Sequence, residues 1–166
     1  AGSRHIFPIL QKLELTNPTD RLAHVAIGCC PALESLTVEN ASLSTADWAA
    51  LSTATQLHTL MLAGCSMDEI SESEAQMLPQ LSFSTTLTSL HLYGCPLHPA
   101  ITQLPELREV ELHWLEGNCE SLPGGPWLNN LCDLHIMDAT LSSIAAVLRQ
   151  ATQLYRLRIE QCPYLQ

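Results

Sequence analysis

The sequence predicts an α/β solenoid, with a curved parallel sheet on the concave side and short helices and loops on the convex side. Three observations lead there. The phrase Leu-x-x-Leu-x-Leu-x-x-(Asn/Cys)-x-Leu stands in the chain as Leu57-His-Thr-Leu60-Met-Leu62-Ala-Gly-Cys65-Ser-Met67, and again as Leu87-Thr-Ser-Leu90-His-Leu92-Tyr-Gly-Cys95-Pro-Leu97. Seven copies can be laid down by their first apolar residue, at Leu10, Leu33, Leu57, Leu87, Leu107, Leu131 and Leu154, with intervals of 23, 24, 30, 20, 24 and 23 residues. The fourth and sixth positions stay aliphatic throughout, as Leu13/Leu15, Leu36/Val38, Leu60/Leu62, Leu90/Leu92, Val110/Leu112, Leu134/Ile136 and Leu157/Ile159. Chance alternation does not hold one phase over that many copies.

Each copy implies the same first element. Apolar and polar residues alternate, so the run reads as a half-buried strand. One such strand cannot bury its apolar face alone, but stacked copies share a continuous core. Parallel neighbours need a long crossover, which the rest of each repeat supplies. The crossovers differ. In the second repeat, Ser44-Thr-Ala-Asp47 opens Trp48-Ala-Ala-Leu51, and a Ser with a carboxylate three residues on predicts a capping box and a short helix. The third repeat has the longest return, where Asp68, Glu69, Glu72 and Glu74 stand close together. Acids are favourable near a helix N-terminus, so this run reads as a solvated helix start, with a docking point for a basic partner as the alternative. In the fifth, Gly117-Asn-Cys-Glu-Ser-Leu-Pro123-Gly124-Gly125-Pro126-Trp127 is a loop by its turn chemistry, with Trp127 expected to turn inward. Gly124-Gly125 lacks the Gly-Lys-Ser/Thr ending of a phosphate loop. In the sixth, Ser142-Ser143 before Ile144-Ala-Ala-Val147-Leu148 reads like the helix start at Ser44.

Over about residues 10 to 166 the chain resembles the leucine-rich repeat superfamily. The stretch Leu22-Ala-His-Val-Ala-Ile-Gly-Cys29-Cys30-Pro31-Ala-Leu33-Glu-Ser-Leu36 looks like the cysteine-containing subclass, in which a small-residue helix runs into Cys-Pro-x-Leu-x-x-Leu. That subclass is typical of F-box substrate receptors of ubiquitin ligases. The tail, Leu154-Tyr-Arg-Leu157-Arg-Ile159-Glu-Gln-Cys162-Pro163-Tyr-Leu165, resembles repeats of plant-type nucleotide-binding immune receptors. The resemblance implies a leucine-rich-repeat solenoid that recognises proteins, as the substrate-receptor arm of a ubiquitin ligase or, second, as the sensor domain of an immune-type receptor. The chain departs from the pattern at position nine, where Pro18, Ala41, Leu115 and Ala139 replace Asn or Cys. It also shows no F-box helices and no nucleotide-binding domain.

Composition narrows the partners. At 166 residues and 46% hydrophobic content, one continuous core is within reach, and residues 1–166 read as a single domain. The formal net charge of −10 repels phosphate backbones and no basic patch is visible, so no nucleic-acid partner is expected. No run approaches the roughly 18 apolar residues of a membrane span, so no membrane partner is expected either. The seven cysteines are Cys29, Cys30, Cys65, Cys95, Cys119, Cys132 and Cys162. Cys65, Cys95 and Cys162 hold position nine, where a small side chain turns inward, and read as buried reduced thiols. The odd count argues against a disulfide framework, and no Cys-x-x-Cys pair suggests zinc. An intracellular compartment, the cytoplasm, is the expectation. The chain starts Ala-Gly-Ser-Arg and its last repeat stops just after its strand, without polar caps. It is therefore expected to be a fragment of a longer protein or a part ordered inside a larger complex.

The partner-binding face should be the concave one. Position five reads Glu14, Thr37, Met61, His91, Glu111, His135 and Arg158; position seven reads Thr16, Glu39, Ala63, Tyr93, His113, Met137 and Glu160. The first three repeats offer small or polar groups there. The later ones should form one patch from His91, Tyr93, Glu111, His113, Trp114, His135, Met137, Tyr155, Arg156 and Arg158, residue types enriched at interface hot spots. Trp114 is its weakest member, placed to tuck under the following loop. His91, Glu111 and His135 have the donor types for zinc or non-haem iron, but on an open sheet with no second shell visible in the sequence no metal or other cofactor is expected. Acid–base catalysis needs a closed pocket and a nucleophile, so no catalytic residues are expected. Protonation of the histidines near about pH 6 would add positive charge to the face and change affinity for a partner. The expected function is non-catalytic recognition of a protein ligand, with a structural subunit in a larger assembly as the alternative.

Overall fold

The strands form where the alternation places them. In the computed structural model, which describes residues 7–18, 28–67, 86–97, 99–114 and 121–165, they are β1 (Lys12–Thr16), β2 (Ser35–Glu39), β3 (Ser42–Leu43), β4 (Thr59–Ala63), β5 (Ser66–Met67), β6 (Ser89–Tyr93), β7 (Glu109–His113), β8 (Asp133–Met137) and β9 (Arg156–Glu160). Seven of them make one parallel sheet in sequence order, β1-β2-β4-β6-β7-β8-β9, and β3 pairs with β5 in a second, two-stranded ladder. The protein is α/β, with few and short helices.

Register is what positions the site. Residues at equal places in the repeat are partners along the whole sheet, so Leu15, Val38, Leu62, Leu92, Leu112, Ile136 and Ile159 form one inward row. In β2, β4, β6, β7 and β8 the inward pair of each strand is no more than 2% exposed. Burying one such aliphatic side chain is worth about 1.5–3 kcal/mol, which pins the phase, because a one-residue slip would turn every inward residue out. Positions five and seven therefore form two ladders on the opposite, open face.

Position eight carries a repeated backbone turn. Asn17, Asn40, Gly64, Gly94, Trp114, Asp138 and Gln161 all have φ between 47° and 57°. Asn, Asp and Gly tolerate this left-handed conformation; a bulky L residue does so at a cost of about 1–2 kcal/mol. At position nine the cysteines turn in as expected. Cys65 and Cys95 are buried, the Cys65 amide donates to Cys95 Sγ at 3.2 Å, and Cys95 Sγ lies 3.3 Å from the Tyr93 carbonyl. Cys162 is only partly buried, on the last strand of the sheet. All the described cysteines are free thiols.

The crossovers follow local chemistry. Helix α1 (Thr45–Ser52) starts from the expected capping box: Ser44 Oγ accepts from the Asp47 amide, and the Asp47 carboxylate accepts from the Ser44 amide at 2.9 Å. Helix α2 (Ala145–Gln150) forms where Ser142-Ser143 announced one, but its N-cap is Ile144, which offers no side-chain acceptor. Ser143 Oγ instead accepts from the Ala145 amide at 3.2 Å. Trp127 turns inward as expected, fully buried in the 3-10 turn Pro126–Leu128, with its indole N–H on the Pro123 carbonyl. Gly125 is required there, since a Cβ on it would lie 2.5 Å from the Thr102 carbonyl oxygen of the neighbouring 3-10 turn Pro99–Gln103. The small-residue helix at 22–27, the acidic run at 68–74 and the loop at 117–120 with Cys119 lie outside the described residues. Among the described residues, no helix is long and apolar enough to cross a membrane.

Candidate functional site

Four side chains from three adjacent strands converge on the Glu111 carboxylate. Glu111 sits at position five of β7, beside His91 on β6 and His135 on β8. Tyr93 and His113 stand one step along, at position seven. Strands in a sheet run roughly 4.8 Å apart, so these groups are immediate or diagonal neighbours. His91 Nδ1 and the Tyr93 hydroxyl each lie 2.8 Å from Oε2. His113 Nε2 and His135 Nδ1 lie 2.9 and 3.1 Å from Oε1. Each carboxylate oxygen thus meets a donor on each of its two lone pairs.

Electrostatics follow from that crowding. Burial works against ionisation of Glu111, but the hydrogen bonds from His91, Tyr93, His135 and His113 outweigh it and bring its pKa down to about 2. Burial, the bond to Glu111, and the charges of Glu111 and Glu109 push Tyr93 up to about 12, so at neutral pH it is an O–H donor. The rings pack as they bond: His113 lies 4.7 Å from Tyr93 and 5.1 Å from His135, centroid to centroid.

A further layer holds the histidines. Ser89 Oγ is 2.9 Å from His91 Nε2. His135 Nε2 is 3.4 Å from Glu160 Oε1, close enough for an ion pair yet without the geometry of a hydrogen bond. Sequence reasoning missed Ser89 and Glu160. Their only signal is that they occupy positions three and seven on the same open face.

The patch read from the sequence divides in space. His91, Tyr93, Glu111, His113 and His135 are brought together, with Met137 beside His113 and Arg158 beside His135 in register. Around the carboxylate exposure is low for a free surface, with the His113 and His135 side chains at 12% and 8%, whereas Arg158 is exposed. Trp114 does not tuck under a loop: it is 58% exposed, edge-on to His113 at 6.1 Å. It walls a depression of about 420 Å³ that runs over the position-eight turns past Glu39, Asn40, Gly64, Tyr93 and Gly94. Tyr155 and Arg156 lie at the other end of the strands, where they border a separate depression of about 440 Å³ with Arg108 and Asp133. There the Arg156 guanidinium pairs with Asp133 at 3.0 Å. The expected single patch is thus a central polar network with an exposed aromatic at each end of the strands.

Ser89, His91 and Glu111 have the connectivity of a nucleophile, a base and an orienting acid. The nearby amides are committed elsewhere, because the Thr88 and Ser89 N–H groups both donate to the His58 carbonyl, at 3.0 and 2.9 Å. They cannot also cradle a developing oxyanion, the largest source of rate in acyl transfer. Comparison of the chain with protein-family models, with curated proteins and with solved structures finds no match.

Proposed function

We propose that the chain is a leucine-rich-repeat solenoid whose open strand face binds a protein ligand, without catalysis of its own. The observation that carries this reading is Trp114. It holds position eight, where the other repeats place Asn, Gly, Asp or Gln, at φ 47° and 58% exposed. A bulky residue in the left-handed region is unfavourable for folding, and such outliers cluster at functional sites. Exposed Trp is also the side chain most enriched at interface hot spots. The nearest family analogies remain the substrate-receptor arm of a ubiquitin ligase and, second, an immune-type sensor, in a reducing intracellular setting suited to free buried thiols.

The test is capture from the native extract with wild type, Trp114→Asn and Tyr155→Ala/Arg156→Ala, all checked for equal stability. Partners held by wild type and lost by Trp114→Asn support the reading. Identical capture by wild type and both variants sinks it. A second reading, a structural element in a larger assembly, is favoured by the exposed aromatics Tyr155 and Tyr164. Light scattering separates the two, since a receptor stays monomeric and an exposed apolar patch self-associates.

A further inference from the structure

We propose that Glu111, His113 and His135 form a binding site for one divalent transition-metal ion of the zinc type. Their donor atoms lie within 4.8 Å of one another, and two of the three separations are 2.9 and 3.1 Å. A zinc ion with bonds of about 2.0–2.2 Å holds tetrahedral ligands about 3.3–3.6 Å apart. Two separations therefore need to open by a few tenths of an ångström, while the two histidine nitrogens, within 4.8 Å of one another, close by up to about 1.2–1.5 Å through side-chain rotation.

Donor chemistry selects the metal class. Two imidazole nitrogens and a carboxylate oxygen suit zinc and its neighbours, whereas calcium and magnesium ask for an all-oxygen shell. Thiolate-preferring ions would look to Cys65 and Cys95, which are buried on the other side of the sheet. Glu109, Asp133 and Glu160 occupy positions three and seven around the cluster, so a dication enters an acidic neighbourhood.

The strongest argument is the predicament of His135. Its Nδ1 faces Glu111 and its Nε2 faces Glu160, and the ring is 8% exposed. Its Nδ1 is bonded to Glu111, whereas its Nε2 is buried with no hydrogen-bond partner. An ion on Nδ1 fixes the ring proton on Nε2, 3.4 Å from Glu160 Oε1, where a small turn of the exposed Glu160 carboxylate completes a hydrogen bond. That is the carboxylate–histidine–metal relay by which ligating histidines are oriented. On the other side, Glu111 Oε2 keeps its bonds from His91 and Tyr93, so the ligating carboxylate is held in place. The open face leaves a fourth coordination position for water or for a side chain of a bound protein.

The site is tested on the chelator-treated chain by calorimetric titration with zinc chloride, and with cobalt chloride for its visible spectrum. One ion per chain is expected, with a cobalt spectrum of nitrogen and oxygen ligation. Binding should be lost in His113→Ala/His135→Ala and kept in His58→Ala. Glu160→Gln should weaken it about 10-fold or more while the fold is retained. Should the double variant fail to fold, imidazole nitrogen NMR of the wild type decides: zinc must shift His113 and His135 and leave His58 in place. No saturable uptake, a thiolate-type cobalt spectrum, unmoved His113 and His135 resonances, or full binding by a folded double variant would overturn the assignment.

Discussion

Replacing Glu111 by Gln should flatten the acid limb of the stability curve. In the folded chain the Glu111 carboxyl titrates at about 2, against an ordinary value of 4.5. A depressed carboxylate contributes stability that is complete above the ordinary value and is lost as pH falls from 4.5 towards 2. At about 1.36 kcal/mol per pKa unit, the shift corresponds to a ceiling of about 3.4 kcal/mol. Solvent reaching the open face screens part of this and leaves about 1–2 kcal/mol. The assay is urea unfolding of metal-free wild type and Glu111→Gln at pH 7 and pH 2.5, followed by circular dichroism. At pH 7 the variant should be less stable by that amount, because one amide oxygen replaces a charge that meets four donors. At pH 2.5 most of the difference should be gone. An equal gap at both pH values would show that the loss is one of packing, and the electrostatic account of the cluster would fail.

Other perturbations test separate parts of the structure. Trp114→Asn should change urea stability by less than about 1 kcal/mol, since relief of left-handed strain offsets lost packing of a side chain that is already mostly exposed, while partner affinity falls by about 2 kcal/mol or more. Gly125→Ala should destabilise by about 1–3 kcal/mol, because its Cβ meets the Thr102 backbone, whereas Gly28→Ala, with nothing within 4 Å, should be near neutral in the same unfolding assay. Ser44→Ala should cost about 1 kcal/mol through loss of the α1 cap, read as a lower thermal midpoint. Ser89→Ala should leave hydrolysis of an activated ester at the wild-type level, and a drop would reopen the case for Ser89, His91 and Glu111 as catalytic machinery.

The strands and their register were legible because two constraints coincide. Alternation has a period of two, and the same phase recurs at Leu36/Val38, Leu90/Leu92 and Leu134/Ile136. That placed His91, Glu111 and His135 side by side without any structure. It left open how the side chains connect, since rotamers decide whether a histidine turns to a carboxylate or to solvent. Ser89 and Glu160 were passed over because a Ser and a Glu on a strand face are ordinary solvated residues until a ring nitrogen lies near them. Trp114 is different. The column Asn17, Asn40, Gly64, Gly94, Asp138, Gln161 is mostly of residues that favour positive φ, a signal that marks Trp114 as an anomaly but went unread when Trp114 was ranked the weakest member of the patch. The cap of α2 was misplaced for a local reason: two serines stood at the candidate start, and the backbone used Ser143 one residue too early for it to be the N-cap.

The β7 repeat gathers several costs that the β2 repeat avoids. It puts a bulky residue in a left-handed turn at Trp114, a partly buried carboxylate at Glu111 and a histidine rotated onto it at His113. The equivalent places in the β2 repeat hold Asn40, Thr37 and Glu39, which suit a turn and a solvated sheet face without strain. Packing does not require the difference, because Val110 and Leu112 fill the same inward row as Leu36 and Val38. Three locally unfavourable choices in one repeat, all on its open side, are hard to derive from the needs of the fold. They fit the proposed binding face centred on β7, with an exposed aromatic for a partner to cover beside a polar cluster proposed to take an ion. If that is so, zinc and the partner share a surface, and affinity for the partner should rise when zinc is added to the wild type. It should be indifferent to zinc in His113→Ala/His135→Ala, and indifference in the wild type would separate the two roles.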